Sequence, residues 1–162
     1  MHKLFLGIIF FSWQLFASEV LTDGAQAGRW TMDYQAAKKY AKDNKKFLFI
    51  NFTGSDWCGW CKLMDKSVFS DPAWEDFSKK ELSLVYVDFP KASHLVPAKF
   101  LSQNDELKKQ YQVKGYPTYI VLSPDGQQLL GRLGAERNVT AVGFIDKLKN
   151  LLPSANTELP KF

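Results

Sequence analysis

Cysteine and histidine are both scarce in this chain. Only two of its 162 residues are cysteine, Cys58 and Cys61, and only two are histidine. A structural zinc site takes about four such ligands, and beyond the extreme N-terminus only His94 could join the two cysteines, so we expect no metal. Covalent haem attachment needs a histidine directly after the second cysteine, and Lys62 stands there instead. With no third cysteine, any disulfide within the chain is local.

The chain also lacks a block of charge of one sign. Its net charge is +4, and the lysines are spread over several segments, so the basic patch typical of nucleic-acid binding is missing. No motif for a nicotinamide or flavin is present, and we expect no bound cofactor. The composition, 46% hydrophobic and 23% charged, is typical of one globular domain.

Long apolar runs are absent except at the start. A short basic start, 1–3, precedes an unbroken apolar run, 4–11, with small residues at 17 and 18, which is the pattern of a secretory signal peptide. The run is shorter than the roughly 20 residues that span a bilayer, although an uncleaved anchor is the alternative. We expect 1–18 to be removed and the mature chain to be periplasmic and not inserted in the membrane. A flexible lead (19–29), one domain (30–153) and a C-terminal tail (154–162) would follow.

Apolar periodicity within the domain alternates between helical and extended patterns. The first predicted helix follows a cap at Thr31 or Asp33 and has Trp30 on its buried face. Further helices are predicted over 58–67, 71–80, 105–111 and 139–152. The helix over 105–111 has a possible start near 98, and the last helix has Asn138 as its predicted N-cap. Strands are predicted over 47–52, 82–89, 116–122 and 127–132, the last two as an antiparallel hairpin. This order predicts an α/β fold, a mixed central sheet with helices on both faces.

The chemistry of the chain is concentrated where a buried strand meets a helix. Cys58 begins that helix, where free amide groups favour a thiolate, and it is predicted to be the nucleophile. Cys61 lies three positions on, on the same helical face and further inward, and is predicted to resolve a mixed disulfide formed at Cys58. Lys62 is expected to point into solvent.

These motifs together resemble the thioredoxin family. Its marks here are WCGWCK after the strand FLFINF and a downstream Gly-Tyr-Pro-Thr at 115–118. The likeness covers about 30–152 and extends, more narrowly, to periplasmic thioredoxin-like reductases of the DsbH type. It implies a thioredoxin fold, a cis bond between Tyr116 and Pro117 beside the active-site disulfide, and backbone pairing of Tyr116 with an extended substrate. Trp57 and Trp60 would offer substrates an apolar lip, unless they are packing residues.

The chain departs from thioredoxin in two ways. In thioredoxin a buried aspartate assists deprotonation of the second cysteine, and the matching residue here is Asn51, whose amide cannot act as a base. Leu84 falls near the place of the lysine that partners this aspartate in thioredoxin. Water or Asp56 is therefore left as the proton acceptor. Between the cysteines stand Gly59 and Trp60, without the histidine that stabilises the thiolate in oxidising relatives of the DsbA type.

We therefore predict a protein-disulfide reductase, expected as a monomer, that acts on disulfides of exported proteins. By resemblance, a membrane electron donor of the DsbD kind would re-reduce it. The alternatives are an oxidase or isomerase of exported proteins, a thiol reductase dedicated to cytochrome maturation, and a binding module with incidental cysteines; the paired thiols at a helix start argue against the last.

Overall fold

The computed structural model describes residues 20–153. The strands are β1 (Trp30–Thr31), β2 (Phe47–Thr53), β3 (Leu82–Asp88), β4 (Thr118–Leu122) and β5 (Leu129–Gly134). The α-helices are α1 (Tyr34–Asp43), α2 (Gly59–Met64), α3 (Pro72–Glu81), α4 (Leu101–Gln110) and α5 (Ala141–Lys149). A π-helical turn, Asp65–Phe69, continues α2, and short 3₁₀ turns cover Ser93–Leu95 and Ala98–Phe100.

The strands form one mixed sheet in the order β1-β3-β2-β4-β5. β3 runs parallel to both β1 and β2, whereas β4 is antiparallel to β2 and to β5. The predicted closing hairpin is therefore confirmed, with an irregularity between Val121 and Leu122. β2 lies at the centre, as its unbroken apolar run predicts.

The two faces of β2 explain why the sheet is covered on both sides. Phe49 and its same-face neighbours pack with Trp74 of α3 and Phe144 of α5. Leu48, on the other face, belongs to a separate core cluster built with α1 and α4. The predicted arrangement of helices on both faces is confirmed, because alternate residues of a strand point to opposite sides.

The helix caps agree with the sequence in two of three cases. Asp33 caps α1 by accepting the Ala36 N–H at 2.9 Å, and Asp71 caps α3 ahead of its first-turn proline. The prediction that Asn138 caps the last helix is wrong. Thr140 is the cap, its hydroxyl accepting the Gly143 N–H at 3.1 Å, while Asn138 has a φ of 55° in the preceding loop.

The start of the domain also differs from the expectation. Trp30, predicted on the face of α1, belongs to the two-residue strand β1, which has too few residues to show a period. Order does not begin at Trp30: the Leu21 N–H donates to the Trp30 carbonyl at 2.9 Å, and the Thr31 hydroxyl donates to the Gly24 carbonyl at 2.6 Å. The predicted signal peptide (1–18) and tail (154–162) lie outside the described residues. Within 20–153, no helix is long and apolar enough to cross a membrane.

Candidate functional site

Cys58 and Cys61 form a disulfide at the beginning of α2. Their Cα atoms are 5.2 Å apart. Cys58 is the N-cap of the helix, and its Sγ accepts a hydrogen bond from the Cys61 N–H at 3.1 Å. The Cys58 N–H in turn donates to the Gly54 carbonyl at 2.8 Å, which ties the cap to the end of β2. The two predicted catalytic residues are thus brought together at the predicted strand-to-helix junction.

Both sulfur-bearing residues are shielded from water, and their immediate neighbours are not. Cys58 is 5% exposed and Cys61 is 2% exposed, whereas Trp57 and Trp60 are each 42% exposed. The turn before the helix therefore presents Trp57 outward, and the helix presents Trp60 outward while it turns Cys61 inward. This division follows from the spacing, since residues 58, 61 and 65 lie on one helical face.

Trp57 forms one wall beside the disulfide. Its indole N–H donates to the Phe89 carbonyl at 2.8 Å, and its ring meets the Tyr116 ring edge-on at a centroid distance of 5.8 Å. A Cβ on Gly54 would come within 2.5 Å of the indole, so only glycine permits this position. Lys108 lies 5.5 Å over the Tyr116 ring and completes this aromatic wall.

Trp60 lies beside a different feature, a surface pocket of about 470 Å³. The pocket is lined by Trp60, Leu63, Ser67, Arg137, Asn138 and Val139. The Arg137 guanidinium lies 5.7 Å from the Trp60 ring centroid, a cation–π distance. An exposed apolar surface bordered by one positive charge therefore adjoins the cysteine pair.

The peptide bond between Tyr116 and Pro117 is cis, as the family resemblance implies. β4 begins at the next residue, Thr118, paired with Phe52 of β2. Through the contact between Tyr116 and Trp57, this segment joins the wall beside the disulfide. Trp57, Trp60, Tyr116 and Pro117, predicted from sequence to bind substrate, therefore fall around the end of the sheet from which α2 starts.

Polar side chains replace apolar ones on the sheet face that α2 covers. The β2 residue Asn51 is paired in register with Tyr86 and Tyr119, and the β2 residue Thr53 with Asp88. Asn51 is 2% exposed, and its Oδ1 has no hydrogen-bond partner within the described chain. The Asp88 carboxylate accepts the Ser55 N–H at 2.9 Å and the Ser55 hydroxyl at 2.5 Å. Burial raises the pKa of Asp88 despite these bonds.

Asp65 faces the same polar region from the helix. Burial, reinforced by the negative charge of Asp88, raises the pKa of the Asp65 carboxyl to about 6. Burial, followed by the charge of Asp65, likewise raises the pKa of Tyr86 and of Tyr119 above the ordinary value for tyrosine. Sequence reasoning missed Asp65, although its place four residues after an inward-facing cysteine was a readable signal.

Asp56 has a structural task that the sequence did not indicate. Its carboxylate accepts the N–H groups of Lys91 at 3.0 Å and Ala92 at 2.9 Å, and these two bonds, that of Ala92 first, lower its pKa. The ammonium of Lys62 donates to the Asp56 carbonyl at 2.8 Å. Asp56 thus tethers the loop after β3, which leaves it a poor proton acceptor for a buried thiol. Across residues 20–153, no cluster of three or more potential metal ligands is present.

Comparisons with known proteins agree on one family. The thioredoxin-like domain family matches residues 34–144. The disulfide bond reductase DsbH of Chlamydia pneumoniae is 35% identical over 119 residues, covering 74% of this chain and 70% of that protein. A solved structure of a DsbH oxidoreductase matches with a TM-score of 0.69 at 33% identity, over 79% of this chain and 85% of the other.

A third relative is much longer. The thiol:disulfide interchange protein DsbD of Actinobacillus pleuropneumoniae is 33% identical over 92 residues, which are 57% of this chain and 14% of that protein. The likeness to DsbD is therefore a likeness to a small part of it.

Proposed function

The chain belongs to the thioredoxin-like family of thiol:disulfide oxidoreductases, and we propose that it works in the reducing direction, passing electrons from its dithiol to disulfides of exported proteins. The Cys58 thiolate attacks a substrate disulfide, which releases one substrate thiol and leaves a mixed disulfide. Cys61 then attacks the Cys58 sulfur, which releases the second substrate thiol and forms the Cys58–Cys61 disulfide. One electron pair passes from enzyme to substrate, and no bound cofactor is needed.

The reducing direction is supported by the acidic side chains near the cysteine pair, Asp88 and Asp65. Asp88, at 4% exposure, is the one charged residue among the buried ones within 20–153, and Asp65 lies one helical turn from Cys61. Nearby negative charge disfavours a thiolate and so raises a thiol pKa. The Cys61 N–H bond still favours the Cys58 thiolate, but negative charge nearby makes that thiolate less stable than it would be beside positive charge. A less stable thiolate favours the disulfide form of the enzyme, which makes its dithiol the better reductant. Trp60, between the cysteines, adds no positive charge.

Substrate contact is assigned to the two surfaces around the pair. Trp57 with Tyr116 forms one side, and Trp60 with its pocket forms the other. Both tryptophans are exposed and carry large apolar areas, which suits unfolded or extended chains. By family resemblance, the backbone of Tyr116 next to Pro117 pairs with the substrate strand.

The equilibrium with glutathione tests the direction. The reduction potential of the Cys58–Cys61 pair is measured by titrating the protein in glutathione buffers and trapping free thiols. We expect a value near that of thioredoxin, about −270 mV. A value near that of DsbA, about −120 mV, would contradict the reductase and favour an oxidase or isomerase.

The roles of the two cysteines are tested by trapping. The Cys61→Ser variant should accumulate a stable mixed disulfide at Cys58 when mixed with a disulfide-bonded protein. The matched Cys58→Ser variant should accumulate none, because its remaining thiol is the more buried one. Equal trapping by both variants would contradict the assignment.

We also propose that the protein is exported and re-reduced by a membrane donor of the DsbD kind, for which the N-terminal residues 1–18 and the partial likeness to DsbD are the support. Fractionation of bacteria that express the full chain, with mass spectrometry of the product, should find the protein in the periplasm, shortened by about 18 residues. A purified thiol-carrying donor domain should reduce the disulfide. Retention in the cytoplasm at full length would contradict export.

A further inference from the structure

The second half of the exchange reaction poses a protonation problem. A thiol attacks a disulfide only after it has lost its proton. Cys61 is 2% exposed, so it has little contact with bulk water, and an ordinary thiol with a pKa of about 8.5 is mostly protonated at neutral pH. A group of the protein near Cys61 is therefore better placed than bulk water to take the proton.

Asp65 stands where such a group is needed. It follows Cys61 by four residues, and its backbone N–H donates to the Cys61 carbonyl. Side chains at this spacing share one helical face with Cβ atoms about 5–6 Å apart, and a helical side chain leans toward the N-terminus, here toward Cys61. The carboxylate has no hydrogen bond or ion pair within residues 20–153, whereas those of Asp56 and Asp88 are both engaged.

The surroundings of Asp65 give it the proton affinity of a useful base. An aspartate with its ordinary value of 3.8 accepts a proton poorly near neutral pH, but burial beside Asp88 raises the pKa of Asp65 to about 6. The other titratable groups facing it are Tyr86 and Asp88 of β3 and Tyr119 of β4. Both tyrosines stay neutral because burial raises their pKa.

We propose that the Asp65 carboxylate accepts the proton of the Cys61 thiol as Cys61 attacks the mixed disulfide at Cys58. The Cys61 S–H bond breaks and a carboxyl O–H bond forms. The Cys61 thiolate then bonds to the Cys58 sulfur, the bond from Cys58 to the substrate sulfur breaks, and the substrate leaves as a thiolate. Asp65 afterwards gives its proton to that thiolate or to solvent. This inference rests on the cysteine roles proposed above and holds for either net direction.

The resolving step can be observed by itself. Reduced protein is mixed in a stopped-flow instrument with an aromatic disulfide reagent that releases one coloured thiolate when Cys58 attacks and a second when Cys61 resolves. The two phases are compared in wild type, Asp65→Asn and Asp65→Glu between about pH 5 and about pH 9, a range that brackets carboxyl and thiol titration. Asp146→Asn, which removes an acid on the surface of α5 whose side chain is 64% exposed, is the matched control.

We expect Asp65→Asn to slow the second phase about 100-fold at neutral pH, the low end of what a positioned base supplies. Its rate should then climb with pH until the thiol ionises unaided. The first phase should not slow, because loss of the Asp65 charge favours the Cys58 thiolate. Asp65→Glu should keep a profile of the wild-type shape, and the control should match wild type. An Asp65→Asn protein whose second phase follows wild type across the pH range overturns the inference.

A comparison of the cysteine variants and an NMR titration separate the remaining explanations. If the first phase survives in Cys58→Ser but not in Cys61→Ser, the cysteine roles, and with them the proposed function, are wrong. If Asp65→Asn does not fold, carbon-13 NMR of the aspartate carboxyls in the wild-type protein decides: Asp65 should titrate near 6 in the disulfide form and at a different pH in the dithiol form. Titration at the ordinary 3.8 in both forms overturns the inference.

Discussion

The half-buried charge of Asp65 should cost the protein stability, and removing it should return that stability in a pH-dependent way. The folded state raises the pKa of Asp65 from 3.8 to about 6, and each pH unit of difference corresponds to 1.36 kcal/mol. At full weight the charge would destabilise the folded state by about 3 kcal/mol. Because the side chain is partly exposed and solvent screens it, we expect about 1.5 kcal/mol.

The direction of the pH dependence follows from proton binding. Between about pH 4 and about pH 6 the folded protein holds the Asp65 proton and the unfolded chain has released it. Stability from this group is therefore complete below its ordinary pKa, falls as the pH rises through this window, and stays lower above it. Asp65→Asn has no proton to lose, so its advantage over wild type should be near zero at the acidic end and complete at neutral pH.

Urea unfolding of the disulfide form measures this advantage. The free energy of unfolding is determined for wild type, Asp65→Asn and Asp146→Asn at about pH 4 and about pH 7. Asp65→Asn should be more stable than wild type at neutral pH only, and Asp146→Asn should differ little at either pH. If the free energy of unfolding of Asp65→Asn differs from that of wild type by the same amount at both pH values, the reasoning from burial is refuted.

Three further changes probe the surroundings of the site. Gly54→Ala places a Cβ within 2.5 Å of the Trp57 indole and should slow reduction of protein disulfides several-fold while sparing a small disulfide; equal rates on both would argue against substrate contact by Trp57. Asp56→Ala should speed amide hydrogen exchange at Ala92 without changing the resolving phase, and a slower resolving phase would make Asp56 a proton acceptor after all. Trp74→Ala, which empties a core site that is 2% exposed, should lower the free energy of unfolding by about 3–5 kcal/mol in urea titration; a loss below about 1 kcal/mol would contradict the assigned packing.

Much of the fold is readable from local patterns. The apolar run of β2 is too short for a helix and too apolar for a surface strand, and so predicts a central one. Asp71 with Pro72 marks a helix start by its own chemistry. The turn at 123–126 places the hairpin through its proline and glycine. In each case the signal lies within a few residues of the structure that it predicts.

What the sequence missed depends on contacts between distant residues. β1 has two residues, and its pairing with Leu84 and Val85 rests on hydrogen bonds that no local period records. Asn138 and Thr140 are both plausible caps by type, and only the backbone turn at Asn138 decides between them. The role proposed for Asp65 as a proton acceptor required two facts together: that the helix turns this position inward, and that Asp88 and two tyrosines lie opposite.

A swap of Asn51 and Asp65 would test whether a residue of the sheet can accept the Cys61 proton in place of a residue of the helix. Thioredoxins, which this chain resembles, carry an aspartate at the position of Asn51, on the strand beneath the second cysteine. Asn51 is 2% exposed, and an aspartate has the same shape and so fits in its place. Buried beside Tyr86 and Tyr119, its carboxyl should have a raised pKa.

We therefore expect the double variant Asn51→Asp, Asp65→Asn to resolve at least about tenfold faster than Asp65→Asn. It would then regain much of the expected loss, about 100-fold, of the resolving rate. Asn51→Asp by itself adds a third acid to the region that Asp65 and Asp88 already share and should be less stable than wild type at neutral pH, because the negative charges disfavour one another. The stopped-flow second phase and urea unfolding measure the two effects on the same proteins. A double variant that folds and still resolves as slowly as Asp65→Asn would show that the acceptor has to stand on the helix, one turn from Cys61.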